Sequence, residues 1–510
     1  MKVFRNLKDF GKPTFENVKN MLRLSVLLSV LLIAASLAAQ RTGLLCSDAK
    51  YQSVSLLPSY SGAKYNEVPL RVSLKKYCPV PGDQKQMGAC VGWAVGYGAL
   101  TIARAQKAGI TDPSEITEMA NSAAFIYNQI KLQADDCTTG AYIEDALALL
   151  KTSGDCLEKS FNYQKTDCRE LPEAKQLAEA NQYRIQDYAA VFTLDEAPKS
   201  KISKACKVLA TQTPMVVGLA VTPDFWEIKP GAQLWNPLEN EAPTGFHAMV
   251  LVGYDNVEKQ FELLNSFGAS WGRNGFIRIP YDDFERLCRY AYVLMPDFNS
   301  QPVVENLVAQ TVTETALSGE FVFRKPAGYL TTSEGEEVPF FEEVATHWNA
   351  EQGIYTTKAP YFEVGDVFQL VAREIPRGRY AYVFSQSPEN KVNLHFPKIV
   401  AAGKTAGFVL EKTAEIVIPN EETVLQLPSP GADFLCILYS NAPIMDIDQR
   451  LQNLQNGAAS FPERVATAFQ DILIPAAQVR FSDNKMAFNA LVKTNSQQIA
   501  VPLILKVEAR

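Results

Sequence analysis

The sequence predicts an α+β domain over residues 69–297, followed by a mainly β domain over residues 319–510. Between Pro69 and Asp297, helical patterns alternate with apolar strand-like runs, the mark of helices packed on a sheet. After Asn299 the helical patterns thin out, and short apolar or alternating runs separated by turn residues take over, as in a sandwich or barrel. The chain has 510 residues, 47% hydrophobic and 21% charged, which suffices for separate cores over a length of about three ordinary domains.

Lys2, Arg5, Lys8, Lys12, Lys19 and Arg23 precede an apolar run from Leu24 to Ala39 that closes on small residues. The run is shorter than the ~20 residues of a spanning helix, so residues 1–39 read as an export signal. The mature protein is then expected in the periplasm, at the cell surface or secreted. Residues 40–68 form an N-terminal extension with no room for a helical inhibitory prodomain.

Within the first domain, Ala94 to Ala105 is small and apolar and reads as a buried helix. Ile143, Ala146, Leu147 and Leu150 share a helical face that ends at Gly154. Met215–Val221, His247–Tyr254, Phe261–Leu264 and Gly275–Ile279 read as strands. Residues 298–318 are polar and aperiodic, a linker.

In the second domain, Val367–Arg373, Arg379–Ser385, Gly407–Leu410, Glu415–Ile418 and Phe434–Tyr439 read as strands, placing a core at about residues 360–440. Phe461–Ile472 is a candidate helix, and Met486–Val492 with Ile499–Val507 a candidate closing pair of strands.

A net charge of −7 and a pI near 5.4 argue against a nucleic-acid partner, which favours a clustered basic face. Three histidines, His247, His347 and His395, are too few for multi-histidine metal chemistry, so neither a metal nor another cofactor is expected. Nine cysteines leave one over if the rest pair, and export permits disulfides. Cys156 and Cys168 are a candidate pair because they lie close in sequence.

One set of residues suits nucleophilic catalysis. Cys90 directly precedes the small apolar helix, where the positive end of the helix dipole favours a thiolate. Gln84 lies six positions upstream, with Gly88 and Ala89 between, and can offer its amide to the same point. His247 is the only histidine of the first domain and therefore the only candidate histidine base there. Asn265, at a strand end, carries a carboxamide that can accept the imidazole N–H and orient the ring without adding charge.

This order of Cys, His and Asn, the Gln-x5-Cys spacing, and the segment Asn265-Ser266-Phe267-Gly268-Ala269-Ser270-Trp271-Gly272 resemble the papain-like cysteine peptidases, in their bacterial exported form. The resemblance implies a domain with a helical half and a β-barrel-like half. It implies Cys90, His247 and Asn265 as catalytic residues, an oxyanion hole made by Gln84 and the Cys90 backbone, and peptide or protein substrates. Phe267 stands where the family has a tryptophan over the His–Asn bond, with Trp271 as architectural support. Met87 replaces a frequent disulfide cysteine, and Val91 replaces the tryptophan after the nucleophile, with Trp93 nearby. Two other readings use the same residues: a silent papain-fold binding scaffold, and an acyl transferase. The second domain resembles a bacterial β domain of unknown function appended to peptidase-like modules, which implies targeting, substrate presentation or a cell-envelope partner.

Overall fold

The structure is a computed structural model describing residues 42–296 and 313–510, except 59, 62–67, 239–240, 332–336, 359–361, 374, 377, 398, 401–402, 405–406, 408–414, 420–423, 456 and 495–497. The expected signal segment, most of the expected linker and the Gly407–Leu410 strand after its first residue lie outside the described residues. Among the described residues, no helix is long and apolar enough to cross a membrane.

The first domain places helices against one antiparallel sheet. Strands run in the order Ile185–Ala190, Cys288–Pro296, Met215–Val221, Gly245–Asp255, Gln260–Leu264 and Phe276–Pro280, with Arg71–Ser73 also paired to Gly245–Asp255. The predicted strands are recovered, the His247 strand extended to Gly245–Asp255. The buried helix starts earlier than expected: Cys90–Gly92 continues through a π-helical Trp93–Leu100 into Thr101–Ala108. Its small residues explain its position. A Cβ on Gly92 would lie 2.4 Å from the Ala123 carbonyl oxygen, and one on Gly98 would lie 2.5 Å from Val250 Cγ2. Glycine there lets the helix touch both the Ala123–Ile130 helix and the His247 strand, which brings Cys90 beside that strand.

The second domain is a sandwich. One sheet has the order Tyr60–Ser61, Glu415–Ile418, Val367–Arg373, Thr313–Thr331, Met486–Thr494 and Val479–Phe481, with Glu337–Glu343 also paired to Thr313–Thr331. The other runs Thr346–Asn349, Ile354–Thr357, Ala500–Ala509, Gly431–Ser440, Tyr380–Gln386 and Val392–Phe396. Tyr439 of the second sheet meets Phe321 and Phe488 of the first at ring distances of 4.8 and 5.2 Å, so the sheets bury their inner faces on each other.

Three expectations change. Residues 313–318 belong to the long strand Thr313–Thr331, so the linker expected at 298–318 cannot extend through them. Met486–Thr494 and Ala500–Ala509 lie in different sheets rather than forming a closing pair. The accessory core extends well beyond residues 360–440, because Thr313–Thr331 and Ala500–Ala509 lie inside the two sheets. Such long-range pairings leave no local pattern in sequence. The helix expected at Phe461–Ile472 is Phe461–Ala468, started by a Ser460–Glu463 capping box.

Candidate active site

The helix start, the central strand and a strand end converge on one point. Cys90 opens its helix and is fully buried. His247, also fully buried, sits on the Gly245–Asp255 strand opposite Leu219, and the next residue, Ala248, points its N–H at Cys90 Sγ from 3.5 Å. Asn265 follows the Gln260–Leu264 strand, and its backbone N–H donates to Gly275 O at 3.0 Å. The three predicted catalytic residues are therefore brought together.

His247 Nε2 and Asn265 Oδ1 are 2.8 Å apart. With the ring N–H on Nε2, this bond leaves the opposite ring nitrogen, Nδ1, free to take a proton. Nδ1 is buried and makes no hydrogen bond. Phe267 lies over the imidazole at a ring distance of 4.9 Å, and Trp271 meets Phe267 edge-on at 5.8 Å. The apolar cover expected of Phe267 and Trp271 is present.

Two further aromatics complete it. Phe225 lies 5.8 Å from the imidazole and 4.8 Å from Trp235, whose indole N–H donates to Asp224 Oδ2 at 2.7 Å. Sequence reasoning missed Phe225 and Trp235, whose only local signal is aromatic residues near the end of a strand.

Gln84 is fully buried. Ser266 Oγ donates to Gln84 Oε1 at 2.7 Å, and the backbone N–H of Gln84 donates to Ser266 O at 2.9 Å. The carbonyl end of the amide is thereby held by Ser266, and Nε2, the end that can serve an oxyanion, donates to Met87 O at 2.9 Å. Tyr163 also holds this loop by donating its hydroxyl to Gln84 O at 2.9 Å, while Trp93 packs on Tyr163 at 4.9 Å. Ser266 is a positioning residue that sequence reasoning missed, although it adjoins Asn265. Trp93 thus packs behind the Gln84 loop through Tyr163.

The disulfide reading is corrected. Cys168 bonds Cys137, across a Cα–Cα distance of 5.6 Å, and Cys156 is a buried free thiol. The reason is tertiary: Asn128 Nδ2 binds Asp167 O at 2.9 Å and Lys131 Nζ binds Cys168 O at 2.6 Å, drawing the Cys168 loop to the Cys137 loop. The bridge staples the wall that ends in Thr139, Gly140 and Ala141.

That wall faces residues 42–45, which lie against Cys90. Ala141 N–H donates to Gly43 O at 2.9 Å, and Leu45 N–H donates to Ala141 O at 3.0 Å. The Ala248 N–H is directed at the Cys90 sulfur, and Gly43 packs against the backbone of Gly88, two residues before Cys90. Beyond the nucleophile, a groove of about 410 Å³ lined by Asp83, Lys85, Gln86, Phe267, Ser270 and Trp271 stays open.

Charge follows burial. Burial pushes the Cys90 thiol up to about 11 despite the opposing backbone N–H groups, and burial pushes His247 down to about 4 against the pull of Asn265. In this closed form both groups are neutral near pH 7.

Residues 76–293 match the family described as papain family cysteine protease. This segment is a papain-family domain. A relative named as an uncharacterized peptidase C1-like protein of Acanthamoeba polyphaga mimivirus is 28% identical over 203 residues, spanning 39% of this chain and 63% of that protein, under two thirds of its length. Xylellain, a cysteine protease from Xylella fastidiosa, is a structural neighbour at TM-score 0.41 and 22% identity, covering 49% of this chain and 98% of its own. Procathepsin B S9 of Trypanosoma congolense follows at TM-score 0.40 and 17% identity, covering 52% and 89%. The papain-family domain ends before the β sandwich, which these relationships leave unassigned.

Proposed function

We propose that the protein is an exported cysteine endopeptidase whose papain-family domain hydrolyses peptide bonds through Cys90. The observation that carries this reading is the His247 Nε2 to Asn265 Oδ1 contact of 2.8 Å, beside a buried Cys90 at a helix start. It leaves Nδ1 as the nitrogen for proton transfer.

In the open enzyme, Cys90 Sγ passes its proton to His247 Nδ1, and water around the pair supports the resulting thiolate and imidazolium. The sulfur attacks the peptide carbonyl carbon, and the C=O electron pair moves to oxygen. Gln84 Nε2 and the Cys90 backbone N–H donate to that oxyanion. As the tetrahedral adduct collapses, the C–N bond breaks and the imidazolium gives its proton to the leaving amine. Water, deprotonated by His247, then attacks the thioester, releasing the carboxylate product and restoring the thiol. Asn265 holds the ring in position throughout.

Export is supported by the Leu24–Ala39 run and by a disulfide within the domain, since such bridges persist in oxidising compartments. The accessory sandwich is assigned below.

The test is hydrolysis of a fluorogenic peptide library by the folded protein and by a variant with an opened cleft. Cleavage lost on Cys90→Ala, with added amines not competing for the acyl group, is the expected result. A folded open variant that cleaves no peptide overturns the proposal.

A further inference from the structure

Residues 42–58 and 60–61 form a strap that touches both domains. Its first part fills the cleft on one side of Cys90. Leu44 pairs in parallel with Ala141 and is only 6% exposed. A Cβ added to Gly218 would meet Leu44 Cδ2 at 2.8 Å, one added to Gly245 would meet Thr42 Oγ1 at 2.7 Å, and one added to Gly43 would meet Gly88 O at 2.0 Å. Those approaches pack the strap directly onto the backbone at Gly88, Gly218 and Gly245.

The wall of the cleft holds the strap by its backbone: the Gly43 carbonyl oxygen accepts from Ala141 N–H at 2.9 Å and Leu45 N–H donates to Ala141 O at 3.0 Å.

The middle of the strap is fastened to the first domain. In the Asp48–Ser53 helix, Asp48 binds Arg289 Nε at 2.9 Å and accepts from Tyr290 Oη at 2.7 Å. Lys50 binds Asp145 at 2.5 Å, and the buried Tyr51 donates its hydroxyl to Phe192 O at 2.6 Å. Leu57 N–H donates to Ala190 O at 2.7 Å. The far end then leaves this domain: Tyr60 pairs with Ile416 and Ser61 with Glu415, adding an edge strand to the first sandwich sheet. The chain returns at Pro69, whose carbonyl accepts from Tyr254 Oη at 2.8 Å.

We propose that the β sandwich anchors this strap in the catalytic cleft, so that release of the Tyr60–Ser61 edge strand controls access to Cys90. This rests on the peptidase reading for its purpose, but not for its test. Fastening the strap on the C-terminal side of the plug, to the first domain and to the sandwich, keeps the plug at a high effective concentration near the cleft, so a short plug with few contacts stays in place. An edge strand held by two residues is the weakest fastening and the one another strand can displace. The occluded pair is also desolvated, which keeps the thiol and imidazole neutral until the strap leaves.

The test is the rate of Cys90 alkylation by iodoacetamide, resolved from other thiols by peptide mass, on the full chain. Leu44→Asp places a carboxylate in the apolar pocket and is expected to raise the rate about tenfold or more, equivalent to about 1.4 kcal/mol of plug binding. A Tyr60→Pro, Ser61→Pro double variant removes the edge-strand donors and is expected to raise it about threefold or more. If Leu44→Asp fails to fold, Asp48→Ala with Lys50→Ala, which breaks only partly exposed contacts, replaces it with the same expected direction.

Equal rates in wild type and the plug variant overturn occlusion. A faster plug variant with an unchanged proline variant overturns anchoring by the sandwich. Peptide hydrolysis is assayed in parallel. A readily alkylated open variant that hydrolyses nothing counts against the peptidase reading and leaves the strap standing. A wild type that turns over peptides as fast as the open variant overturns the strap.

Discussion

Two histidines, one in each domain, sit in comparable settings and differ in what surrounds them. His247 and His395 are both pushed down to about 4 by burial, and each has a polar side chain at hydrogen-bond distance: Asn265 Oδ1 at 2.8 Å for His247, Ser385 Oγ at 2.7 Å for His395. Around His247 there are also a cysteine at a helix start, a buried carboxamide held by Ser266 and a cover of aromatic rings. Around His395, on the edge strand Val392–Phe396, the neighbours are strand residues, and Ser385 lies within the Tyr380–Gln386 strand with no helix dipole behind it. A histidine beside a hydroxyl is therefore not a catalytic pair. Donors, an orienting group and a nucleophile in an activating position make the difference.

The comparison is broken or sharpened by substitution. The largest effect is expected for Cys90→Ala and His247→Ala in the strap-opened protein, each lowering kcat/KM by about 10⁴-fold or more, because the two act as one unit. Gln84→Ala is expected to lower kcat by about 10²–10³-fold with little change in KM, the scale of losing one oxyanion donor. Asn265→Ala, which frees the ring to rotate, is expected to cost about 10²-fold.

Ser385→Ala and His395→Gln are expected to leave peptide hydrolysis unchanged, and a loss of activity there erases the contrast. Their effect lies in acid stability. His395 in the folded chain takes its proton only near pH 4, whereas the unfolded chain takes it near ~6.5, so the stability its neutral form confers is present above ~6.5 and is lost as pH falls from there towards 4. His395→Gln should flatten that part of the stability profile, measured by urea melts between pH 7 and pH 4.

Much of the first domain is legible in sequence because its site residues carry their chemistry in their type and order. Cys90 precedes a run of small residues, and those same glycines dictate how close the helix comes to the His247 strand. Asn265 and Phe267 lie two residues apart on one loop, so a single motif marks both the orienting group and its cover. Ser266 and Phe225 act only through contacts made after folding, and nothing local distinguishes them. Cys156 lies nearer than Cys137 to Cys168 in the chain, but the Asn128 and Lys131 hydrogen bonds decide which loop arrives.

The strap was illegible for the same reason. Thr42-Gly43-Leu44-Leu45 is an unremarkable tetrapeptide until Ala141 supplies its backbone partners. In the sandwich, short strands were visible by alternation, but which sheet each joins depends on partners up to hundreds of residues away, as with Tyr60 and Ile416.

The most direct test of the central claim, that Cys90 and His247 form a working pair once the cleft opens, is the pH profile of Cys90 alkylation in the Leu44→Asp variant. The expected profile rises at or below neutral pH and reverts to that of an ordinary thiol on His247→Ala, while the closed wild type is alkylated more slowly across the range. An open, folded variant whose Cys90 titrates as an ordinary thiol with or without His247 would contradict it.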